Sequence, residues 1–161
     1  MDWKALWQKY KPILLQVGVA LLAGGLASLL GGETRSLYER LTAPPLAPPG
    51  WVFPVVWTIL YALMGIGAAR VYLTPPSSAR SRGLNLFIAQ LVVNFFWSPV
   101  FFNLQAFGLA FFWLLLLWGL VFWMILTFRK TDRAAANLQI PYLIWLTFAA
   151  YLNAGVWYLN R

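Results

Sequence analysis

Four stretches of the chain carry no charged side chain: 12–32, 41–69, 83–128 and 134–160. Apolar residues dominate all four, and polar positions gather in the short segments between them. Crossing a hydrocarbon core of about 30 Å takes ~20 residues of helix. Three of the stretches fit one crossing each, and 83–128 fits two, broken at Asn103, Leu104 and Gln105. Backbone groups find no water in lipid, so each crossing is expected to be helical. The pattern therefore predicts an all-α membrane protein, a five-transmembrane-helix bundle in a single domain over 1–161. Its helices are expected at about 13–30, 52–72, 84–102, 107–128 and 138–159. Lys4, Lys9 and Lys11 ahead of the first run also suit a cleaved secretory signal. That run is longer than the apolar core of a signal and lacks a small-x-small ending, so it is read as the first span.

The connectors are short and punctuated. Gly31 and Gly32 are expected to end the first helix, and Leu37, Tyr38 and Leu41 to form a short amphipathic turn. Pro44, Pro45, Pro48 and Pro49 then impose an extended path, since proline fixes its own φ and restricts the preceding residue. Such a braced loop can serve as a plain connector or as a lid over the bundle. The segments 74–83 and 129–138 read as a polar turn and a short basic loop. No internal repeat is evident, which counts against a two-halved transporter.

Composition agrees with the pattern. Charged residues make up only 10% of the chain, whereas a water-facing globule needs roughly a quarter or more. The net charge of +8 would suggest nucleic acid were it concentrated on one face. It is instead divided among connectors. With five spans, Lys4, Lys9, Lys11, Arg70, Arg80, Arg82, Arg129, Lys130 and Arg133 fall on one side, and Arg35, Arg40 and Arg161 on the other. That asymmetry predicts a cytoplasmic N-terminus and an outside C-terminus, with a bacterial inner membrane as the expected host and no nucleic-acid partner. The absence of cysteine excludes disulfides.

Histidine is absent too, so no imidazole base, thiolate nucleophile or ordinary zinc site is available. No metal site is expected and no cofactor is required. The four acids, Asp2, Glu33, Glu39 and Asp132, lie outside the predicted spans, which leaves proton-coupled pumping without machinery. Haem on an axial His or Cys is likewise excluded, which leaves only Met or Tyr as conceivable ligands, and a tetrapyrrole is expected to be held by stacking, shape and peripheral contacts.

The spans do hold aromatic stripes with a few amides. Pro54, Trp57, Tyr61 and Gly65 share one helical face; so do Gln90, Asn94, Trp97 and Phe101, and so do Pro141, Trp145, Ala149, Asn153 and Trp157. Amides in lipid are expected to face the bundle interior, carrying these rings with them. The expected result is a slot lined by Trp, Tyr and Phe, suited to a flat apolar guest. The same spacing also serves ordinary packing, and Trp51, Trp113 and Trp157 near helix ends suit an interfacial belt. Small residues at Ala20, Gly24 and Ser28, and at Gly65 and Ala69, permit close helix contact within one chain or between two.

Three segments, PPGWVFPVVWTILYALMG (48–65), AQLVVNFFWSPVFF (89–102) and PYLIWLTFAAYLN (141–153), closely resemble signature segments of the translocator protein (TspO, tryptophan-rich sensory protein) family. They occur in the family's order, and the length and loop order also agree. The resemblance implies a five-helix bundle, commonly a homodimer, that binds porphyrins such as protoporphyrin IX or haem. In animal members it implies cholesterol and benzodiazepine- or isoquinoline-type drugs as well. It implies a ligand-binding lining of Trp51, Trp57, Tyr61, Asn94, Trp97, Trp145 and Ala149 beneath the first loop. If the light- and oxygen-dependent porphyrin breakdown of some bacterial members applies, Trp57 and Trp145 take the catalytic positions. Two departures matter. Leu46 stands where the family often has Trp, and Ala154 and Tyr158 replace the Tyr and Arg of the animal sterol motif, leaving a loose Val156-x-Tyr158-x2-Arg161 pattern.

Three readings follow. The first is an integral membrane receptor or binding protein for porphyrins and related flat ligands, acting in their transport, turnover or stress regulation. The second is a porphyrin-degrading enzyme, and the third a non-catalytic regulatory partner of another membrane complex.

Overall fold

The computed structural model describes residues 3–30 and 34–161. Its helices are α1 (Trp3–Leu30), α2 (Thr34–Arg40), α3 (Val52–Tyr72), α4 (Ser78–Phe102), α5 (Phe107–Phe128), α6 (Arg133–Asn137) and α7 (Ile140–Leu159). Five of them, α1, α3, α4, α5 and the α6–α7 segment, are long and apolar enough to cross a membrane. The fold is therefore an all-α bundle of five membrane-spanning helices. Gly31 and Gly32, the expected end of the first span, lie outside the described residues.

Three helix starts differ from the expected ones, and in the first two the reason is that charge marks where lipid ends, not where helix ends. Helix α1 begins at Trp3 and carries Lys4, Lys9 and Lys11 on helical turns beyond the apolar run. Helix α4 starts at Ser78 because the Ser77 hydroxyl accepts the Arg80 backbone N–H at 3.0 Å, an N-cap. The 129–138 connector holds a helix of its own, α6, capped by Asp132, whose carboxylate accepts the Ala135 N–H at 2.9 Å. Helix α7 then begins at Ile140, two residues later than expected, with Pro141 in its first turn.

Glycines set the close helix contacts. A Cβ on Gly65 would lie 2.4 Å from the Val17 Cα, so α1 and α3 touch backbone to backbone there. One on Gly24 would strike the Tyr61 ring, one on Gly83 the Phe128 ring, and one on Gly108 the Trp157 indole. The small residues at Gly24 and Gly65 thus serve packing within the chain. In lipid no hydrophobic drive holds helices together, so such close approach supplies the dispersion that does. Helix α1 packs chiefly on α3, α4 on α5, and α5 on α7, while α3 and α7 approach each other closely over little of their length.

The chain reversals sort the ends. Arg70 pairs with Asp132 at 2.9 Å, and Gly83 packs on Phe128, which brings the C-termini of α3 and α5, the N-terminus of α4 and α6 to one end. Gly65 beside Val17 and Gly24 beside Tyr61 make α1 antiparallel to α3, so Lys4, Lys9 and Lys11 join that end. The first loop and the C-terminus of α7 form the other.

Candidate functional site: the aromatic seam between α3 and α7

The amides of the stripes face inward. Gln90, Asn94 and Asn153 are buried, and each has a partner on another helix. The Asn94 side chain donates to the Tyr61 hydroxyl oxygen at 3.0 Å, linking α4 to α3. The Tyr142 hydroxyl donates to Gln90 Oε1 at 2.9 Å, linking α7 to α4, and Gln90 Nε2 reaches Met64 Sδ at 3.6 Å. Asn153 Nδ2 donates to the Phe107 carbonyl at 2.8 Å, while its Oδ1 is buried without a partner among the described residues. Met64, Phe87, Gln90, Leu117, Tyr142 and Leu146, all fully buried, pack the middle of the bundle. The inward turn of the amides matches expectation, but side chains occupy the centre where a slot was expected.

Rings bridge the seam between α3 and α7. Phe53 meets Trp145 edge-on at 5.9 Å between centroids, and one turn further Trp57 meets Tyr142 at 6.0 Å. Trp57 also lies over Tyr61 at 5.5 Å. Trp57, Trp145 and Ala149 are half-buried against the main core. The tryptophans divide by what their indole N–H groups do. Trp97 donates to the Ala110 carbonyl at 3.1 Å, Trp113 to the Val93 carbonyl at 2.7 Å and Trp118 to the Thr147 hydroxyl at 2.9 Å. These three tie helices together. Among the described residues, Trp57, Trp145 and Trp157 have ring contacts but no hydrogen-bond partner for the indole N–H, and of these only Trp57 and Trp145 lie at the α3–α7 seam.

The first loop is clamped over the seam. Thr42 and Asn160 exchange two hydrogen bonds, backbone N–H to Oδ1 and Nδ2 to carbonyl, each 2.9 Å. The Tyr151 hydroxyl donates to the Pro45 carbonyl at 2.7 Å, and the Pro44 ring lies on Gly155. On the α3 side, the Tyr38 hydroxyl donates to the Pro48 carbonyl at 2.7 Å while its ring meets Phe53 at 5.2 Å. Tyr38, Phe53, Trp145, Phe148 and Tyr151 thereby form a continuous run of ring contacts from loop to α7. Between Pro45 and Ala47, Leu46 adopts φ 67° and is 83% exposed. A left-handed leucine is strained, so the turn, closed by Ala47 N–H to the Pro44 carbonyl at 3.2 Å, is held by its neighbours.

Of the seven lining residues the resemblance implied, Trp57, Tyr61, Asn94, Trp145 and Ala149 come together at or behind the seam. Trp97 lies further along, stacked on Phe101 at 5.1 Å against α5. Trp51, at the start of α3, is 69% exposed and stands apart. Tyr142, Phe53, Tyr151 and Asn160 escaped the sequence reading, and Tyr38 entered it only as part of the amphipathic turn. Tyr142 had a signal, lying one turn before Trp145 on the stripe's flank; the others pair with distant segments and had none. Open hollows occur elsewhere. One of about 360 Å³ between α1 and α4, lined by apolar residues such as Val19, Ala23, Ile88 and Phe95, faces lipid.

Five spans and an aromatic seam under a clamped loop, with tyrosine the only titratable side chain in the buried core among the described residues, define a helical membrane protein whose candidate site is made of rings and amides. The chain belongs to the TspO/MBR family, whose model matches residues 14–159. It is 35% identical to the tryptophan-rich protein TspO of Chlorobaculum tepidum over 150 residues, covering 92% of this chain and 95% of that one. It is 40% identical to protein CrtK of Rhodobacter capsulatus over 124 residues, covering 76% and 78%. Against the human translocator protein it is 36% identical over 132 residues, covering 81% and 78%.

Proposed function

We propose that this protein is an integral membrane receptor for porphyrins and related flat, apolar ligands, which it holds at the α3–α7 seam. One observation carries the reading. Trp57 and Trp145 sit on facing helices, half-buried, with indole N–H donors that no described residue accepts, whereas three other tryptophans direct theirs to helix–helix bonds. Indoles with free N–H groups, whose ring contacts can be exchanged for another π surface, suit a macrocycle with a broad face and peripheral acceptors. Asn94 and Tyr61 add polarity behind Trp57. Opening the first loop would admit the guest. The end bearing Lys4, Lys9, Lys11 and the α5–α6 arginines is the cytoplasmic one, in a bacterial inner membrane, by the excess of basic residues there.

Titration with protoporphyrin IX, followed by tryptophan fluorescence, tests the site. Each stacked ring is worth about 1 kcal/mol, so Trp57→Phe combined with Trp145→Phe should weaken binding by roughly tenfold or more. Unchanged affinity would remove both residues from the site. Bleaching of the bound porphyrin's Soret band under illumination, no faster than with an unrelated tryptophan-rich membrane protein, is the outcome expected of a receptor rather than a degrading enzyme.

A further inference from the structure

The end of the bundle opposite the clamped loop carries a second feature. Helix α5 finishes with Thr127 and Phe128 buried, and Arg129 follows at once, where the charge-free run stops. The chain then turns through Lys130 and Thr131, with the Thr131 and Asp132 N–H groups both donating to the Phe128 carbonyl. It re-enters helix at Arg133. Arg129 and Arg133 line a hollow of about 440 Å³.

The neighbouring charges leave this hollow cationic. Asp132, the acid in this turn, is committed elsewhere: its carboxylate pairs with Arg70 at 2.9 Å and caps α6 through the Ala135 N–H at 2.9 Å. Arg80 is also engaged, donating to the Tyr72 carbonyl at 3.0 Å and lying over the Tyr72 ring at 4.9 Å. Arg129, Lys130 and Arg133 make no side-chain hydrogen bond or ion pair among the described residues. Arg82 lies at the same end of the bundle, since Gly83 beside it packs on Phe128.

We infer that the Arg129–Arg133 hollow is a binding site for the headgroup phosphate of an anionic phospholipid from the surrounding membrane. Position and chemistry agree. The hollow begins at the residue where the α5 span ends, which is the depth of the lipid phosphates. Guanidinium forks engage phosphate oxygens in pairs, which a lysine cannot reproduce. The lipid's acyl chains would lie along the exposed apolar face of α5 that leads to the site, where Phe122, Trp123 and Leu126 point outward. The inference is independent of the porphyrin reading, since it uses the other end of the bundle.

The test measures how strongly the reconstituted protein selects spin-labelled phosphatidylglycerol over spin-labelled phosphatidylcholine, in phosphatidylcholine vesicles, by the motionally restricted fraction of the spectrum. Each juxtamembrane cation contributes enough to change anionic-lipid association roughly fivefold. Arg129→Gln with Arg133→Gln should therefore reduce the preference by roughly twenty-fivefold. Arg40→Gln with Arg161→Gln, the same charge change at the opposite end, should leave it intact. Arg129→Lys with Arg133→Lys keeps the charge and loses the forks, so an intermediate loss is expected. Equal preference in wild type and the glutamine pair, both folded by circular dichroism, would overturn the inference. So would equal losses in the two glutamine pairs, which would mean a diffuse charge effect. Displacement of the labelled lipid by inorganic phosphate at matched concentration would also overturn it, marking a site for free phosphate.

Discussion

Replacing Gly155 by alanine tests what holds the first loop over the seam. The new Cβ would lie 2.5 Å from both Cβ and Cγ of Pro44. Carbon atoms rest at about 3.5–4.0 Å, so the proline must retreat by about 1 Å. Its ring cannot swing aside as a flexible side chain would, so the backbone moves with it. Three hydrogen bonds depend on that backbone: the two between Thr42 and Asn160 at 2.9 Å, and Tyr151 to Pro45 at 2.7 Å. A shift of about 1 Å takes all three past useful length. At about 1 kcal/mol apiece they hold the loop by about 3 kcal/mol, or roughly a hundredfold in its opening equilibrium. The Thr42 amide reports this directly, because its N–H donates to Asn160. Gly155→Ala should accelerate its hydrogen exchange by roughly that factor. Asn160→Ala deletes the acceptor itself, so the Thr42 amide should lose its protection in that variant whether or not the loop opens, which sets the upper limit of the scale. A folded Gly155→Ala protein with wild-type exchange at Thr42 would show that the Pro44–Gly155 contact does not hold the loop.

Two further outcomes follow from other parts of the bundle. Tyr142→Phe strands the buried Gln90 Oε1 acceptor and should cost about 1 kcal/mol in a membrane setting, whereas Tyr142→Phe with Gln90→Leu should cost less than the sum of the two single changes. Strict additivity in a double-mutant cycle of unfolding in mixed micelles would refute a working bond. The Asp132 carboxyl, raised by partial burial but lowered further by the Ala135 N–H and Arg70, sits below its ordinary range. A depressed folded pKa contributes stability above the unfolded value near 3.8 that is lost as pH falls through the folded one. Thermal unfolding should therefore show an acid-side loss below about pH 4 that Asp132→Asn diminishes, and an identical acid limb in that variant would refute the assignment.

Where the chain is helical was largely readable, because lipid leaves the backbone no alternative and tolerates few charges. The start of α1 was not, since Lys4, Lys9 and Lys11 signal departure from lipid while helical bonding continues past them. That Gln90, Asn94 and Asn153 turn inward was also legible: an amide facing acyl chains would lose its hydrogen bonds. Their partners were not legible. Tyr61 is 33 residues from Asn94 and Tyr142 is 52 from Gln90, and nothing local in either helix encodes the register that joins them. The loop clamp is more distant still, since Thr42 and Asn160 are 118 residues apart. Trp51 illustrates the converse. Its neighbours in sequence fit the family pattern, yet at the start of α3 its ring stands exposed.

The choice of residues at each interface bears on where a ligand can enter. Where helices must stay together, a glycine admits a neighbour at contact distance: Gly65 for α1 on α3, Gly83 for α4 on α5, and Gly108 for α5 on α7. Separating any of these would sacrifice dispersion over whole turns of backbone, which lipid does not replace with a comparable fit. The α3–α7 seam is built differently. Its backbones stand apart and the rings of Phe53, Trp57, Tyr142 and Trp145 span the distance. Edge-to-face ring contacts are worth about 1 kcal/mol each and can be exchanged for contacts with another π surface at little net cost. On the proposed function, a flat guest would part the rings and take their place, leaving the glycine contacts undisturbed. Toward α6 the same segments are held by Gly67 against Ala135 and Gln139 and by the Arg70–Asp132 pair, so a guest would part the rings only at the loop end, beneath the clamp at Thr42, Pro44 and Pro45.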